Sequence, residues 1–397
     1  MRLVMTRVLL VLLNACALAL LSVMPVAAKP FLPAADDVVL ERLPEKIDPS
    51  LAELKRLRLA LSRRPGDLDL ATRFARRAIE ASRETGDPRF LGQAQAVLAT
   101  WWDRSDAPRE ILVLRATIRQ SLHDFPAALA DLDRVLQGNA QDAQARLTRA
   151  SILTVIGRYD DALRDCNALA RLASEIVVVT CRAGAQSLAG DASAYRVLVD
   201  AIGRAGRAPP AIMVWAHTLA AEIAARTGDA DAAEQHFRRA LALDARDAYL
   251  RGAYADFLID RQRPREAIAL IGNDLANDAL LLRVALAESR IDAPTAEERQ
   301  LFREHRADLA ARFAASRARG DIVHRREEAR YALHLEHDVP RALALARANW
   351  DVQREAADLR ILAESARAAG DASALELVRA WSQKHAALDM ARNGERP

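Results

Sequence analysis

Residues 109–175 read REILVLRATIRQSLHDFPAALADLDRVLQGNAQDAQARLTRASILTVIGRYDDALRDCNALARLASE, and in that stretch one phrase is said twice. Arg115-Ala116 returns as Arg149-Ala150, Asp124-Phe125 as Arg158-Tyr159, Ala128-Leu129 as Ala162-Leu163, and Asp131 as Asp165, each 34 residues on. A fixed period of about 20–50 residues marks a stacked-repeat protein, because one supersecondary unit is laid beside its copy. In each copy a first helix is expected to end near His123 or Gly157, and a second to begin at Phe125 or Tyr159. Ala116 and Ala150 in the first helices, and Ala128 and Ala162 in the second, mark where backbones approach closely enough to pack ridges into grooves. Phe125 and Tyr159 plug the turns.

Moving outward, a third unit follows with Ala183 and Gly190-Asp191. Its opening, Ile176 to Thr180, is β-branched and locally strand-like, but the repeat register makes it a helix. After the break at Pro209-Pro210 the period resumes. Gly228-Asp229 precedes a second helix carrying Ala233 and Phe237, and Ala221 and Ala233 are echoed 34 residues later by Ala255 and Ala267. Beyond Ile271 the pattern fades into an apolar helix (Ala279 to Ser289) and a long charged one opening at Pro294-Thr295. Two final pairs lie around Ala329 and Ala342 and around Ala363 and Gly370-Asp371. Towards the N-terminus, helical spacing runs from Ser50, with Leu91 to Trp102 read as one partner helix.

At this spacing, with Ala-x-x-x-[bulky] in the second half of each unit, the chain resembles the tetratricopeptide repeat superfamily. The resemblance implies an all-α, right-handed superhelical solenoid of antiparallel helix pairs. Repeats are assigned to 109–142, 143–175, 176–208, 214–247 and 248–278, with degenerate helical repeats at 50–108 and 291–385. It further implies that first helices line a concave groove, which would place Gln144, Leu147, Ser151, Thr154, Val155, Trp215, Thr218, Glu222, Arg226, Tyr249, Asp256 and Asp260 there. Trp215 and Tyr249 at equivalent places could grip an apolar side chain of a peptide; the plainer reading packs Trp215 against its neighbouring helix. The set of basic and amide residues with which some family members clamp a C-terminal carboxylate is not reproduced. The Arg-x-x-Arg-Ala runs, such as Arg146 to Ala150, read as solvated faces.

The ends carry an address. Arg2 and Arg7 precede an uncharged run from Val8 to Val23, then Pro25 and Val26-Ala27-Ala28, so a signal peptide cleaved after Ala28 and export to a periplasm are expected. A lipobox reading of Leu13 to Cys16 is disfavoured by the apolar residues that continue past Cys16. Residues 29–49, with four prolines, read as a linker or arm, and 386–397 as a tail. Removing Arg2 and Arg7 from 57 basic residues leaves 55 against 54 acidic ones, a balance that argues against a nucleic-acid surface. No apolar run of spanning length follows the signal, so membrane association would come only through a partner or an uncleaved signal.

Catalytic and cofactor constellations are not found, and no cofactor, metal or catalytic residue is assigned. The one histidine cluster, His334-x-x-His337 with His324 upstream, could hold a metal only if a third ligand came near; it underlies a disfavoured alternative, a metal-handling or hydrolytic protein. Cys166 and Cys181 stand on consecutive helices at similar height, open to a disulfide or to two buried thiols. The sequence therefore points to a non-catalytic envelope scaffold that holds an unidentified protein or peptide. An accessory factor for envelope assembly, secretion or cofactor-protein maturation is the nearest alternative.

Overall fold

A computed structural model describes residues 49–385. The expected signal peptide, the expected arm up to residue 48 and the expected tail 386–397 lie outside the described residues. The description concerns the compact unit that begins at Pro49.

A leading helix α1 (Pro49–Arg63) is followed by nine hairpins. The first is α2 (Leu68–Thr85) with α3 (Arg89–Val97) and its short continuation α4 (Ala99–Trp102). Next come α5 (Arg109–Ser121) with α6 (Phe125–Gly138), α7 (Ala143–Val155) with α8 (Tyr159–Ala168), and α9 (Glu175–Ala189) with α10 (Ala194–Arg204). Then follow α11 (Pro210–Thr227) with α12 (Ala230–Leu243), and α13 (Ala248–Asp260) with α14 (Pro264–Ile271). The last three are α15 (Asp278–Glu288) with α16 (Ala296–Ala318), α17 (Arg325–Tyr331) with α18 (Val339–Trp350), and α19 (Ala356–Ala369) with α20 (Ala372–Lys384). No strand occurs among the described residues, so the fold is an all-α solenoid of helix pairs. The β-branched run Ile176 to Thr180 is helical within α9. The expected single helix from Leu91 to Trp102 is instead two, broken at Leu98 (φ −92°, ψ 3°).

The turn inside most hairpins uses one device. A residue with positive φ ends the first helix: His123 (59°), Gly157 (79°), Gly190 (101°), Gly228 (88°), Gln262 (59°), His337 (57°) and Gly370 (63°). In several pairs an aspartate follows and caps the second helix, as Asp124, Asp229, Asp338 and Asp371 do by accepting a backbone N–H bond. Such a carboxylate satisfies an N–H that the helix itself leaves unpaired. The crossing alanines Ala116, Ala128, Ala150, Ala162, Ala221, Ala233, Ala255 and Ala267 are all buried, as are the turn plugs Phe125, Tyr159 and Phe237.

The Arg-x-x-Arg-Ala run Arg146 to Ala150 is not a solvated face, whereas the arginines of the runs 204–208 and 303–307 are exposed. Arg115 makes a fork onto buried Asp131, Nε to Oδ2 at 2.8 Å and Nη2 to Oδ1 at 2.6 Å. One repeat later Arg149 does the same to Asp165 at 2.7 and 2.8 Å, joined by Arg146 at 2.9 Å. Each fork ties the first helix of a hairpin to the second, and its two parallel bonds fix geometry as well as supplying attraction. Cys166 and Cys181 form a disulfide between α8 and α9, with Cα atoms 5.6 Å apart.

The last hairpins return to the early ones. Arg354 N–H, just before α19, donates to Val155 O at 2.8 Å, and Tyr159 Oη donates to Arg354 O at 3.3 Å. Trp381 of α20 meets Gly157 so closely that a Cβ there would stand 2.6 Å from the indole. The same indole packs edge-on against Trp350 and lies under the Arg354 guanidinium.

A cavity lined by the first helices as the candidate binding site

Because the later hairpins come back onto the earlier ones, the first helices from α2 to α19 surround a cavity of about 2300 Å³. All twelve groove positions expected from the sequence line it: Gln144, Leu147, Ser151, Thr154, Val155, Trp215, Thr218, Glu222, Arg226, Tyr249, Asp256 and Asp260. Their states differ. Thr218 is buried, its hydroxyl donating to Val214 O at 2.8 Å. Trp215 and Tyr249 keep 36% and 61% of their surface exposed, so Trp215 is not packed away against its neighbour.

The wall is divided by chemistry. From Val113 through Leu219, on α5, α7, α9 and α11, every lining residue is uncharged. The opposite wall, on α13, α15, α17 and α19, is a lattice of arginines and carboxylates. Asp256 accepts from Arg283 at 2.9 Å and from Arg330 at 2.7 Å. Burial would raise the Asp256 carboxyl, but these two guanidinium groups outweigh it and hold it well below the usual carboxylate range. Asp260 accepts from Arg360 Nη2 at 2.8 Å, and Arg326 reaches Glu355 at 2.8 Å and Asp358 at 3.3 Å. Glu327 ends at about 2, against burial, because Arg326, Arg283 and Arg330 surround it.

Sequence reading missed Arg283, Arg326, Glu327, Arg330, Arg360 and Glu364. They belong to the region where the repeat pattern fades, and no local signal tied them to partners as far as 100 residues away. Along the cavity eleven arginines meet eleven carboxylates, so the site as a whole carries no sign bias.

At the border between the two walls stand Glu222, Tyr249 and Arg226. Tyr249 Oη donates to Glu222 Oε1 at 2.6 Å. Burial raises the Glu222 carboxyl, partly offset by that bond, and the neighbouring carboxylate drives the phenol upward. Arg226 donates to the neutral Ser187 Oγ at 3.0 Å, and burial lowers its pKa.

The histidine cluster does not assemble as a metal site would require. His334 Nε2 faces Glu364 Oε2 at 3.0 Å, His324 lies 3.7 Å from Asp321, and His337 is the exposed positive-φ residue of its turn. Among the described residues no group of three or more His, Cys, Asp and Glu is placed to hold a metal ion. No described helix is long and apolar enough to cross a membrane.

No family model matches the chain, and no curated protein does. Solved structures do. The chain is similar to the Cut9–Hcn1 hetero-tetramer of the APC/C at 15% identity and TM-score 0.41, over 64% of this chain and 52% of that one, so it spans about half of the Cut9–Hcn1 chain it matches. A tetratricopeptide repeat protein from Parabacteroides merdae ATCC 43184 matches at 18% identity and TM-score 0.34, over 58% of this chain and 98% of that one. The P58(IPK) TPR domain matches at 16% identity and TM-score 0.24, over 80% of this chain and 97% of that one. The tetratricopeptide-like fold rests on the chain's own 34-residue hairpins, and these likenesses carry nothing about partners.

Proposed function

We propose that this chain is a non-catalytic interaction scaffold of a bacterial cell envelope that holds a segment of a protein partner in its cavity. The observation that carries the reading is the pairing of size with exposed aromatics. At about 2300 Å³ the cavity is more than twice the volume typical of small-molecule sites, about 300–1000 Å³, and suits a polypeptide segment. Among the described residues Trp215 and Tyr249 are the only exposed aromatic side chains, and both face this cavity. Trp and Tyr are the residues that most often anchor interfaces. The cavity carboxylates Asp256, Asp260, Glu327, Glu355 and Glu364 are engaged by arginines in structural bonds, which fits a binding surface better than a reacting centre.

Export to an oxidising compartment is part of the same reading. The charged and then apolar leader supports it, and so does the Cys166–Cys181 disulfide, since such bridges persist outside the reducing cytosol. Intact mass of the exported protein should start at Lys29, and a thiol count under denaturing, non-reducing conditions should find none. For the scaffold itself, the test is capture from envelope extract with the exported chain and with a Trp215→Ala, Tyr249→Ala control. A partner that the control loses supports the reading; one retained equally by the control contradicts it.

A further inference from the structure

Resting on that scaffold reading, we propose that the cavity selects a partner segment with one bulky apolar side chain, seated on the Trp215 and Tyr249 wall, and one carboxylate, bound by Arg226, with no basic residue between them.

Three observations carry this. The first is the uncharged wall: a basic or acidic side chain facing Leu147, Thr154, Leu188 or Leu219 would leave water without meeting a counter-charge, which is costly in a confined site. The second is the pair of aromatics, Trp215 and Tyr249, that line the cavity and stay exposed in the free protein. The third is Arg226. The other arginines deep in the cavity, Arg283, Arg326, Arg330 and Arg360, bridge carboxylates of this chain. Arg226 instead bonds only a neutral hydroxyl, Ser187 Oγ, and the nearest carboxylate along its helix, Glu222, is engaged by the Tyr249 phenol. A guanidinium has five donors, so Arg226 can still take a carboxylate bidentately.

Spacing follows from the helix. Trp215 and Arg226 lie on the same inward stripe of α11, about 16 Å apart at 1.5 Å per residue. An extended segment covers that distance in about five residues at roughly 3.3 Å each. The selected motif therefore pairs an apolar anchor with an Asp or Glu about five residues away.

The test is selection from a random 12-residue peptide display library on the exported full chain, followed by anisotropy titration of synthetic winners. The expected winners carry the anchor and the acid at that spacing. Trp215→Ala should weaken all of them at least tenfold. Arg226→Gln should abolish the preference for Asp or Glu over Asn or Gln and leave the anchor preference intact, with Arg226→Lys intermediate; unchanged circular dichroism melting establishes that each variant folds. Winners that depend on Trp215 but carry basic residues, or that ignore Arg226→Gln, overturn this inference and leave the scaffold reading standing. Winners indifferent to both Trp215→Ala and Tyr249→Ala, or no enrichment at all, overturn the scaffold reading and this inference together.

Discussion

The hairpins from α5 to α14 and those from α15 to α20 hold together by different means. In the first set the decisive polar bonds are local: Arg115 to Asp131 and Arg149 to Asp165 each span 16 residues, from one helix of a hairpin to the other. The second set has local bonds too, such as those of Arg317 and Arg341 to buried Glu328, and adds long ones: Arg330 to Asp256 spans 74 residues, Arg360 to Asp260 spans 100, and Tyr159 to Arg354 spans 195. A solenoid built only of local bonds would grow in one dimension. The long bonds turn it back on itself and make a groove into a cavity. Regular repeats thus supply the uncharged wall, the aromatics and the carboxylates Asp256 and Asp260, and irregular ones supply the arginines that meet those carboxylates and the closure.

The sharpest way to break this comparison is to remove one carboxylate from each set. Asp131 is fully buried beneath Arg115, and stripping one partner from a buried ion pair costs about 3–5 kcal/mol. Urea unfolding of Asp131→Ala should show a loss of that size. Asp260 is exposed and its pair with Arg360 crosses the closure, so Asp260→Ala should cost less than about 1 kcal/mol. Equal losses would mean that the local and long bonds are not different in kind.

Acid should weaken the regular set at its buried histidine pair. His217 of α11 and His236 of α12 are both buried, with their Nδ1 atoms 2.9 Å apart, and burial lowers both, His217 to about 4. A depressed folded-state value means that the unfolded chain binds the proton more readily. The pair's contribution is therefore complete above pH ~6.5 and is lost as pH falls towards ~4, by on the order of 3 kcal/mol for His217. Asp358 on α19 works in the opposite sense, since burial lifts it to about 6. The effect should be read as the difference in urea midpoint between wild type and His217→Gln across pH 7 to 4. A difference that does not change with pH would contradict the assignment.

Closure can be probed separately. Gly157 and Gly228 both have positive φ, but only Gly157 has Trp381 against it; nothing stands within 4 Å of a Cβ at Gly228. Gly228→Ala should cost about 1 kcal/mol from the backbone alone, and Gly157→Ala about 2 kcal/mol, the excess coming from overpacking against the indole. Hydrogen exchange should place that excess in α19 and α20.

The period of 34 and the crossing alanines made the regular hairpins legible, because each unit repeats the same steric demand at the same place. The turns at Gly228-Asp229 and Gly370-Asp371 announced themselves through glycine. The equivalent turn at His123 was placed by the repeat register instead, while Gln262 gave no sign, since nothing in a His or Gln says that its backbone is left-handed. Arg146 and Arg149 were misread because a basic helical stripe looks the same facing water as facing a buried aspartate. The groove stripe was legible from repeat register, whereas the opposite wall depends on contacts that no local pattern encodes. The smallest prediction follows from that last turn: Gln262→Gly should stabilise the chain by about 0.5–1 kcal/mol by relieving a positive φ, and a lower melting temperature would contradict it.

The central claim is that a partner lies inside the cavity. A photocrosslinking residue placed in cells at Tyr249, which faces the cavity, and separately at Val197, exposed on α10 away from it, tests this directly. The account predicts a partner adduct from position 249 and none from 197; an adduct from 197 with none from 249 would contradict it.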